Sequence, residues 1–272
     1  MMKFSQDAMH APLPTITLIT ATYNSAQTVA ASLDSIRAQQ YPGLESLVMD
    51  GASTDGTQAL IRQSFGDVVS ALHSEPDAGI YDALNKGFRA AQGEVIGLLH
   101  SDDTLANPGV LKAVGQLFRD PSVDAVYGNL NYVRREAPHQ VVRHWRSQPF
   151  TPDLLRRGWM PPHPTLFLRR RVLAQAGEFD TRYRIAADYE HVLRVFTLPG
   201  LQARYLPEVM VNMKTGGASN RSLGNIMRKS AEDLRAIRQH GVGGWPTLLS
   251  KNFSKLQQIR ISTRLQQASP HE

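Results

Sequence analysis

Apolar and polar residues alternate in blocks along the first hundred positions. Short apolar runs at residues 16–20, 45–49, 68–72 and 95–99 read as buried strands, and each ends in a polar turn. Between them lie helical patterns: residues 28–39 with Leu33 and Ile36 inward, residues 56–63, and residues 80–91 with Leu84 and Phe88 inward. Strand and helix in strict alternation predict an α/β fold, a Rossmann-like, doubly wound and mostly parallel sheet. Ligands of such sheets gather outside the carboxyl ends of the strands, so the residues following each apolar run are where chemistry is expected.

The second half is less regular. Residues 123–127 and 141–145 read as further strands, and the proline-rich stretch 159–164 as an ordered loop before a short strand at 165–168. A turn at 177–180 precedes a helix that opens on Ala187-Asp188-Tyr189-Glu190, with Leu193 and Phe196 inward. From Ser222 onward Ile226, Leu234 and Ile237 recur at near-helical spacing. Leu249, Phe253, Leu256 and Ile259 form a second stripe, decorated by Lys251, Lys255, Arg260 and Arg264. The chain therefore divides into a body, 1–217, and a helical C-terminal extension, 218–272.

Composition changes this picture in two places. The net charge of +6 invites a nucleic-acid reading, but of the 30 Lys+Arg and 24 Asp+Glu, 9 and 3 fall in residues 216–272, which leaves 21 and 21 in the body. A neutral body with a basic tail argues for no nucleic-acid groove and for a tail that meets an anionic membrane surface. The chain has no cysteine, which fits a reducing compartment and excludes thiolate metal sites. Its first ten residues lack the apolar run of a secretion signal, and no apolar stretch approaches the roughly 20 residues that span a bilayer. The expectation is a cytoplasmic protein, peripheral at the inner face of the cell membrane.

Candidate chemistry lies on the predicted rim. The first strand is followed by Ala21-Thr22-Tyr23-Asn24, the second by Asp50-Gly51-Ala52-Ser53-Thr54-Asp55, and the fourth by His100-Ser101-Asp102-Asp103. Asn24, Ser25, Ser53 and Asp55 also suit helix capping, and Asp55 stands immediately before a helical pattern. Asp50 ends an apolar strand, where a carboxylate is costly unless donors meet it. Adjacent carboxylates at Asp102 and Asp103 match a hard divalent ion, which takes one or two protein carboxylates and completes its shell with water and substrate phosphates. His163 reads equally as a substrate contact or as a loop hydrogen bond. Asp188 alone reads as a helix-start acid.

The segments TLITATYN, LVMDGASTDGT, SEPDAGIYDALNKGFRAAQGEVIGLLHSDD, GEFD and AADYEHVLR occur in this order over residues 14–217. On them the chain resembles the family 2 glycosyltransferases, inverting enzymes of the GT-A fold, and most of all bacterial members that build exopolysaccharide, capsule or O-antigen. The resemblance implies a nucleotide-sugar donor, an acceptor glycan, lipid-linked in such pathways, and a Mg2+ or Mn2+ cofactor. It places Ala21 to Asn24 beside the nucleotide, with the Tyr23 ring on the base, Asp50 accepting from the base, and Asp102 against ribose and diphosphate. Asp103 would be the metal ligand and Asp188 the general base. His163 and Glu190 are candidate donor or acceptor contacts, and Asp77, Gly79 and Asn85 line the donor cleft without an assigned role. Many relatives carry an acid where this chain has His100, which bears on metal use. Competing readings are a glycoside hydrolase, which needs two carboxylates flanking one bond, a sugar nucleotidyltransferase, for which no glycine-rich triphosphate loop is present, and a non-catalytic membrane-surface scaffold.

Overall fold

The computed structural model describes residues 12–216 and 223–253. Four strands form the parallel half of the sheet: β1 (Ile16–Thr22), β2 (Leu44–Asp50), β3 (Ala71–Ser74) and β4 (Val95–Leu98). They lie in the order β3-β2-β1-β4, with Ile16 opposite both Leu44 and Val95. Their connections are α1 (Val29–Arg37), α2 (Thr57–Ser64) and α3 (Ile80–Ala90). The parallel, helix-connected half is thus the arrangement that the alternation predicts.

The third strand is displaced from its apolar run. The amides of Val68 and Val69 donate to the carbonyl of Phe65 in a turn, so pairing with β2 begins only at Ala71. Beyond β4 the sheet becomes mixed. It continues through β8 (Phe167–Arg169), β6 (Ala125–Arg134), β9 (Ala203–Lys214) and the short β5 (Thr104–Leu105), with β7 (Ala137–Trp145) on the other side of β6. β9 runs parallel to β6 and has no counterpart in the sequence reading, because Pro207 and a register shift interrupt its alternation.

Both faces of the sheet are covered. One core contains Leu33, Ile36, Ile61 and, from α4 (Val110–Phe118), Leu111 and Val114. The other contains Leu84, then Val172 and Leu173 of α6 (Arg170–Ala176), which follows the short α5 (Pro152–Arg156), and Val192 and Leu193 of α7 (Ala187–Phe196). Leu234, Ala236, Ile237, Val242 and Leu248 belong to this second core, so α8 (Leu223–Gln239) and the following helix, 245–253, pack on the body.

Candidate active site

The rim outside β1, β2 and β4 is stitched from backbone amides and short polar side chains. Asn24 and Ala52 adopt left-handed backbone conformations, with φ of 47° and 61°, which turn the chain sharply at the two strand ends. The Asn24 amide donates to Ser53 Oγ at 2.8 Å, and Asn24 Oδ1 accepts from the Thr54 amide at 3.0 Å. The Ser25 amide donates to Thr57 Oγ1 and the Ala26 amide to Asp55 Oδ2, at 2.8 and 3.0 Å. Asp55 therefore ties the two loops together while also accepting from the Thr57 amide at the start of α2. Ser25 Oγ reaches Ser101 Oγ at 3.0 Å and joins the β4 loop to the same seam. Over it stands Tyr23, 68% exposed. At the end of β1 the Ala21 side chain is buried in the core, and its backbone is the part that reaches the rim.

Asp50 is buried and fully partnered. Oδ1 accepts from Thr22 Oγ1 and Ser53 Oγ, and Oδ2 from the Ser53 amide and Ser74 Oγ, at 2.5 to 3.0 Å. A carboxylate has about four acceptor positions, and all are in use. Burial pushes this carboxyl up, but the donors from Ser53, Ser74 and Thr22 outweigh it and hold the group below the usual range.

The second pair of acids is arranged in the opposite way. A turn closed by the Asp103 amide on the His100 carbonyl, at 3.0 Å, presents Asp102 and Asp103 between β4 and β5. Asp102 is half-buried and pairs with Arg135, in the turn between β6 and β7, at 3.1 Å. Asp103 is 1% exposed. Its Oδ1 accepts from the Lys214 amide at 3.2 Å, and its buried Oδ2 has no hydrogen-bond partner. Burial, and then the charge of Asp102, raise the Asp103 carboxyl well above the ordinary carboxylate range. His100 Nδ1 is a second buried orphan, and burial lowers that imidazole's affinity for a proton against the pull of Asp102 and Asp188. A divalent ion fits this donor set: an unpaired carboxylate oxygen beside a second carboxylate is what such an ion requires from the protein, with substrate phosphates supplying the rest. No group of three or more His, Asp or Glu suited to a metal occurs among the described residues, so the protein's own share of the shell would be small.

Asp188 sits in the first turn of α7, half-buried, with Oδ1 accepting the Tyr189 amide at 2.8 Å. Three amides leading into this helix, those of Arg184, Ile185 and Ala186, donate to Glu232 of α8 at 2.9 to 3.1 Å, and Tyr81 Oη donates to the Ile185 carbonyl at 2.9 Å. Glu232 thus satisfies donors that no side-chain cap provides, and it fixes where Asp188 stands. The carboxylates of Asp103 and Asp188 both act on Tyr132, whose phenol is raised chiefly by burial, lowered in part by Arg143, and raised further by these two charges. Two strand-end acids and a helix-start acid accordingly share one region.

His163 is buried in a one-turn helix (His163–Thr165), and burial lowers it to about 4, so it is a neutral wall of the site at neutral pH. Glu190 is a further correction. It is buried, paired with Arg194 and, at 2.8 Å, with His240, and so serves the packing of α7 on α8 rather than the cleft. Asn85 clamps the backbone of Phe179 through both its oxygen and its nitrogen at 2.8 and 2.9 Å, a structural task. Tyr132, Arg135 and Glu232 were invisible to motif reading, because each reaches the site from a distant element. A hollow of about 460 Å³ bordered by Asn131, Glu208 and Asn212 is lined by none of these acids.

The family model for glycosyl transferase family 2 matches residues 17–177. A PGL/p-HBAD biosynthesis glycosyltransferase of Mycobacterium bovis is 32% identical over 213 residues, 76% of this chain and 80% of that protein. The structure is similar to that of the mannosyltransferase PcManGT from Pyrobaculum calidifontis, solved with GDP-Man and Mn2+, at a TM-score of 0.63 and 22% identity over 98% of this chain and 81% of that one. It is also similar to residues 1–349 of S. aureus TarS, solved with UDP-GlcNAc, at a TM-score of 0.65 and 17% identity over 84% of this chain and 66% of that one.

Proposed function

The chain belongs to glycosyl transferase family 2 and has the GT-A fold, and from that premise we infer that it moves one sugar from a nucleotide-sugar to a hydroxyl of a lipid-linked glycan with inversion. The hydrolase and nucleotidyltransferase readings give way to family membership. The observation that carries the reading is that Asp102 and Asp103, in the turn after β4, share neighbours with Asp188 at the start of α7: the charges of Asp103 and Asp188 both reach Tyr132, and those of Asp102 and Asp188 both reach His100.

In this reading Asp188 takes the proton of the acceptor hydroxyl as its oxygen attacks the anomeric carbon. The bond to the nucleoside diphosphate breaks on the opposite face. A positioned base of this kind contributes about 100 to 10,000-fold. Asp103, through its unpartnered Oδ2, and Asp102 are the residues that would hold Mg2+ or Mn2+, whose chemistry is to neutralise charge on the departing diphosphate. Arg135 holds Asp102 in place. Glucosyl-, mannosyl- and N-acetylglucosaminyl-nucleotides assayed for hydrolysis with and without manganese test this reading. Metal-dependent release of nucleotide from any of them supports it, and no release from a panel of donors opposes it.

The C-terminal helix supports peripheral membrane contact through apolar residues, where the sequence reading rested that contact on basic ones. Lys251, expected on the outward face, is buried against Asp233 at 2.7 Å, with its ammonium over the Tyr189 ring. The outward face carries Trp245, Leu249 and Phe253, 59%, 66% and 62% exposed and four residues apart. Leu256, Ile259, Lys255, Arg260 and Arg264 lie outside the described residues. No helix among the described residues is long and apolar enough to cross a membrane, so contact of this kind would be peripheral.

A further inference from the structure

Asp188 bonds locally to the Tyr189 amide, and the segment that carries it is held from outside. Arg184, Ile185 and Ala186 lead into α7, and none of these side chains carries an acceptor that could cap it. Glu232 of α8 supplies one: its Oε1 accepts the Arg184 amide at 3.1 Å, and its Oε2 accepts those of Ile185 and Ala186, both at 2.9 Å. Three successive amides converging on one carboxylate is how a backbone binds an anion. From the opposite side Tyr81 Oη of α3 donates to the Ile185 carbonyl at 2.9 Å. The chain is thus clamped two residues before Asp188. The Tyr81 phenol, raised first by burial, is raised further by the charges of Asp188 and Glu232, so both carboxylates lie near this one hydroxyl.

α8 is in turn fixed to α7 and its approach. Asp233, next to Glu232, is buried with Lys229 at 3.1 Å and Lys251 at 2.7 Å, and the Lys251 ammonium lies over the Tyr189 ring. Farther along, Tyr183 Oη donates to Gln239 Oε1 at 3.0 Å, and His240 pairs with Glu190 at 2.8 Å. All of α8 lies beyond residues 17–177, the stretch that matches the family model.

We propose that Glu232 is a positioning residue of the transfer reaction: it sets the place of Asp188, and so makes the C-terminal extension part of the catalytic centre. This rests on the reading of Asp188 as the base. A base acts only within hydrogen-bond reach of the proton it takes, and a displacement of about 1 Å can lower a rate by about 100-fold. Without the Glu232 carboxylate three amides lose their acceptor, and the segment entering α7 must move to find others. Val192 and Leu193 keep the rest of α7 in the core, so the disturbance falls on its first turn. Asp102 and Asp103, in the turn after β4, make no bond to Glu232. Donor binding should therefore survive where turnover does not.

Glu232→Ala and Glu232→Gln in the full chain, alone and combined with Asp188→Asn, test this. The readouts are thermal melting, calorimetric affinity for UDP and GDP, and manganese-dependent hydrolysis of UDP-glucose, GDP-mannose and UDP-N-acetylglucosamine, with water in place of the acceptor hydroxyl. Glu232→Ala is expected to lower kcat by about tenfold to 100-fold, with donor KM and nucleotide affinity within about twofold of wild type. Glu232→Gln keeps one oxygen for the Ile185 and Ala186 amides and recovers part of the rate. Added to Asp188→Asn, Glu232→Ala has no further effect, because a positioning residue does nothing once the group it positions is gone. His240→Ala loosens the other end of α8 and should lower stability without lowering kcat. Wild-type kcat in Glu232→Ala overturns the inference. So does a loss that multiplies with that of Asp188→Asn, or that His240→Ala reproduces, since either marks a role in stability alone. Should Glu232→Ala fail to fold, Glu232→Gln enters the same cycle with the same criteria. Wild-type turnover in Asp188→Asn, or no turnover of any donor by the unaltered chain, fells the base reading and this one together. A defective Asp188→Asn beside a fully active Glu232→Ala sinks this inference alone.

Discussion

Asp50 and Asp103 are both aspartates at the carboxyl end of the same sheet, and both are almost completely buried. They differ in everything around the carboxyl group. Asp50 receives four donors from Thr22, Ser53 and Ser74, and its acidity is strengthened. Asp103 receives one backbone amide, keeps an orphaned oxygen, faces the charge of Asp102, and is pushed far toward the neutral acid. Asp50 is finished as a structural brace for the two rim loops, whereas Asp103 is incomplete until a cation arrives. Stability is spent at the second position to keep a site ready, a pattern common at functional sites.

The largest effect expected lies outside the pair, at the base. Asp188→Asn should lower transfer by about 100-fold or more, the scale of a lost general base, with nucleoside diphosphate affinity held. Near-normal turnover in that variant would reduce Asp188 to a helix-start acid.

Next comes the metal. Asp103→Asn preserves an oxygen for the Lys214 amide but replaces the orphaned oxygen with a donor. Calorimetry with UDP or GDP should then show binding that no longer responds to manganese. A manganese response equal to wild type would show that Asp103 is not the ligand.

The comparison is tested most directly by stability, where the same substitution should act with opposite sign at the two positions. The folded Asp50 carboxyl lies below its unfolded value, so its contribution is present above the unfolded value and disappears as pH falls through the folded one. Asp50→Asn should cost about 2 kcal/mol at neutral pH, the scale of charge-assisted hydrogen bonds. Asp103 runs the other way. Its folded value is raised, so metal-free protein loses stability as pH climbs from the ordinary carboxylate range toward that value. Asp103→Asn should raise the melting temperature in chelator at neutral pH. Urea and thermal unfolding of both variants between pH 4 and 8 measure this, and a shared sign would break the contrast.

The smallest effect on stability belongs to the outward stripe. Replacing Trp245, Leu249 and Phe253 together with serine should leave unfolding within roughly 0.5 kcal/mol per site, as for exposed positions. Cosedimentation with anionic vesicles at low salt should fall markedly. Undiminished cosedimentation would move membrane contact to another surface.

Much of this protein was determined by local sequence. Buried strands and amphipathic helices declare themselves over four to twelve residues, because burial follows side-chain period. The loops that follow β1, β2 and β4 could therefore be named as the rim, and the ordered segments over 14–217 identified the family. β9 escaped because Pro207 interrupts its pattern, and its place beside β6 depends on partners about 80 residues away. What the tertiary structure alone decided is the state of each acid. Asp50 is saturated by side chains from three separate stretches. Asp103 is stranded by the absence of one, and Asp77 lies against Gly51, 26 positions earlier, where a side chain would collide with it. Lys251 turned inward because Asp233 waited there, which charge counting along the tail had no means to register. Composition and period report what a residue tends to do with water, whereas the chemistry of a carboxylate depends on which donors and charges lie within a few ångströms, and the chain's long-range contacts set those.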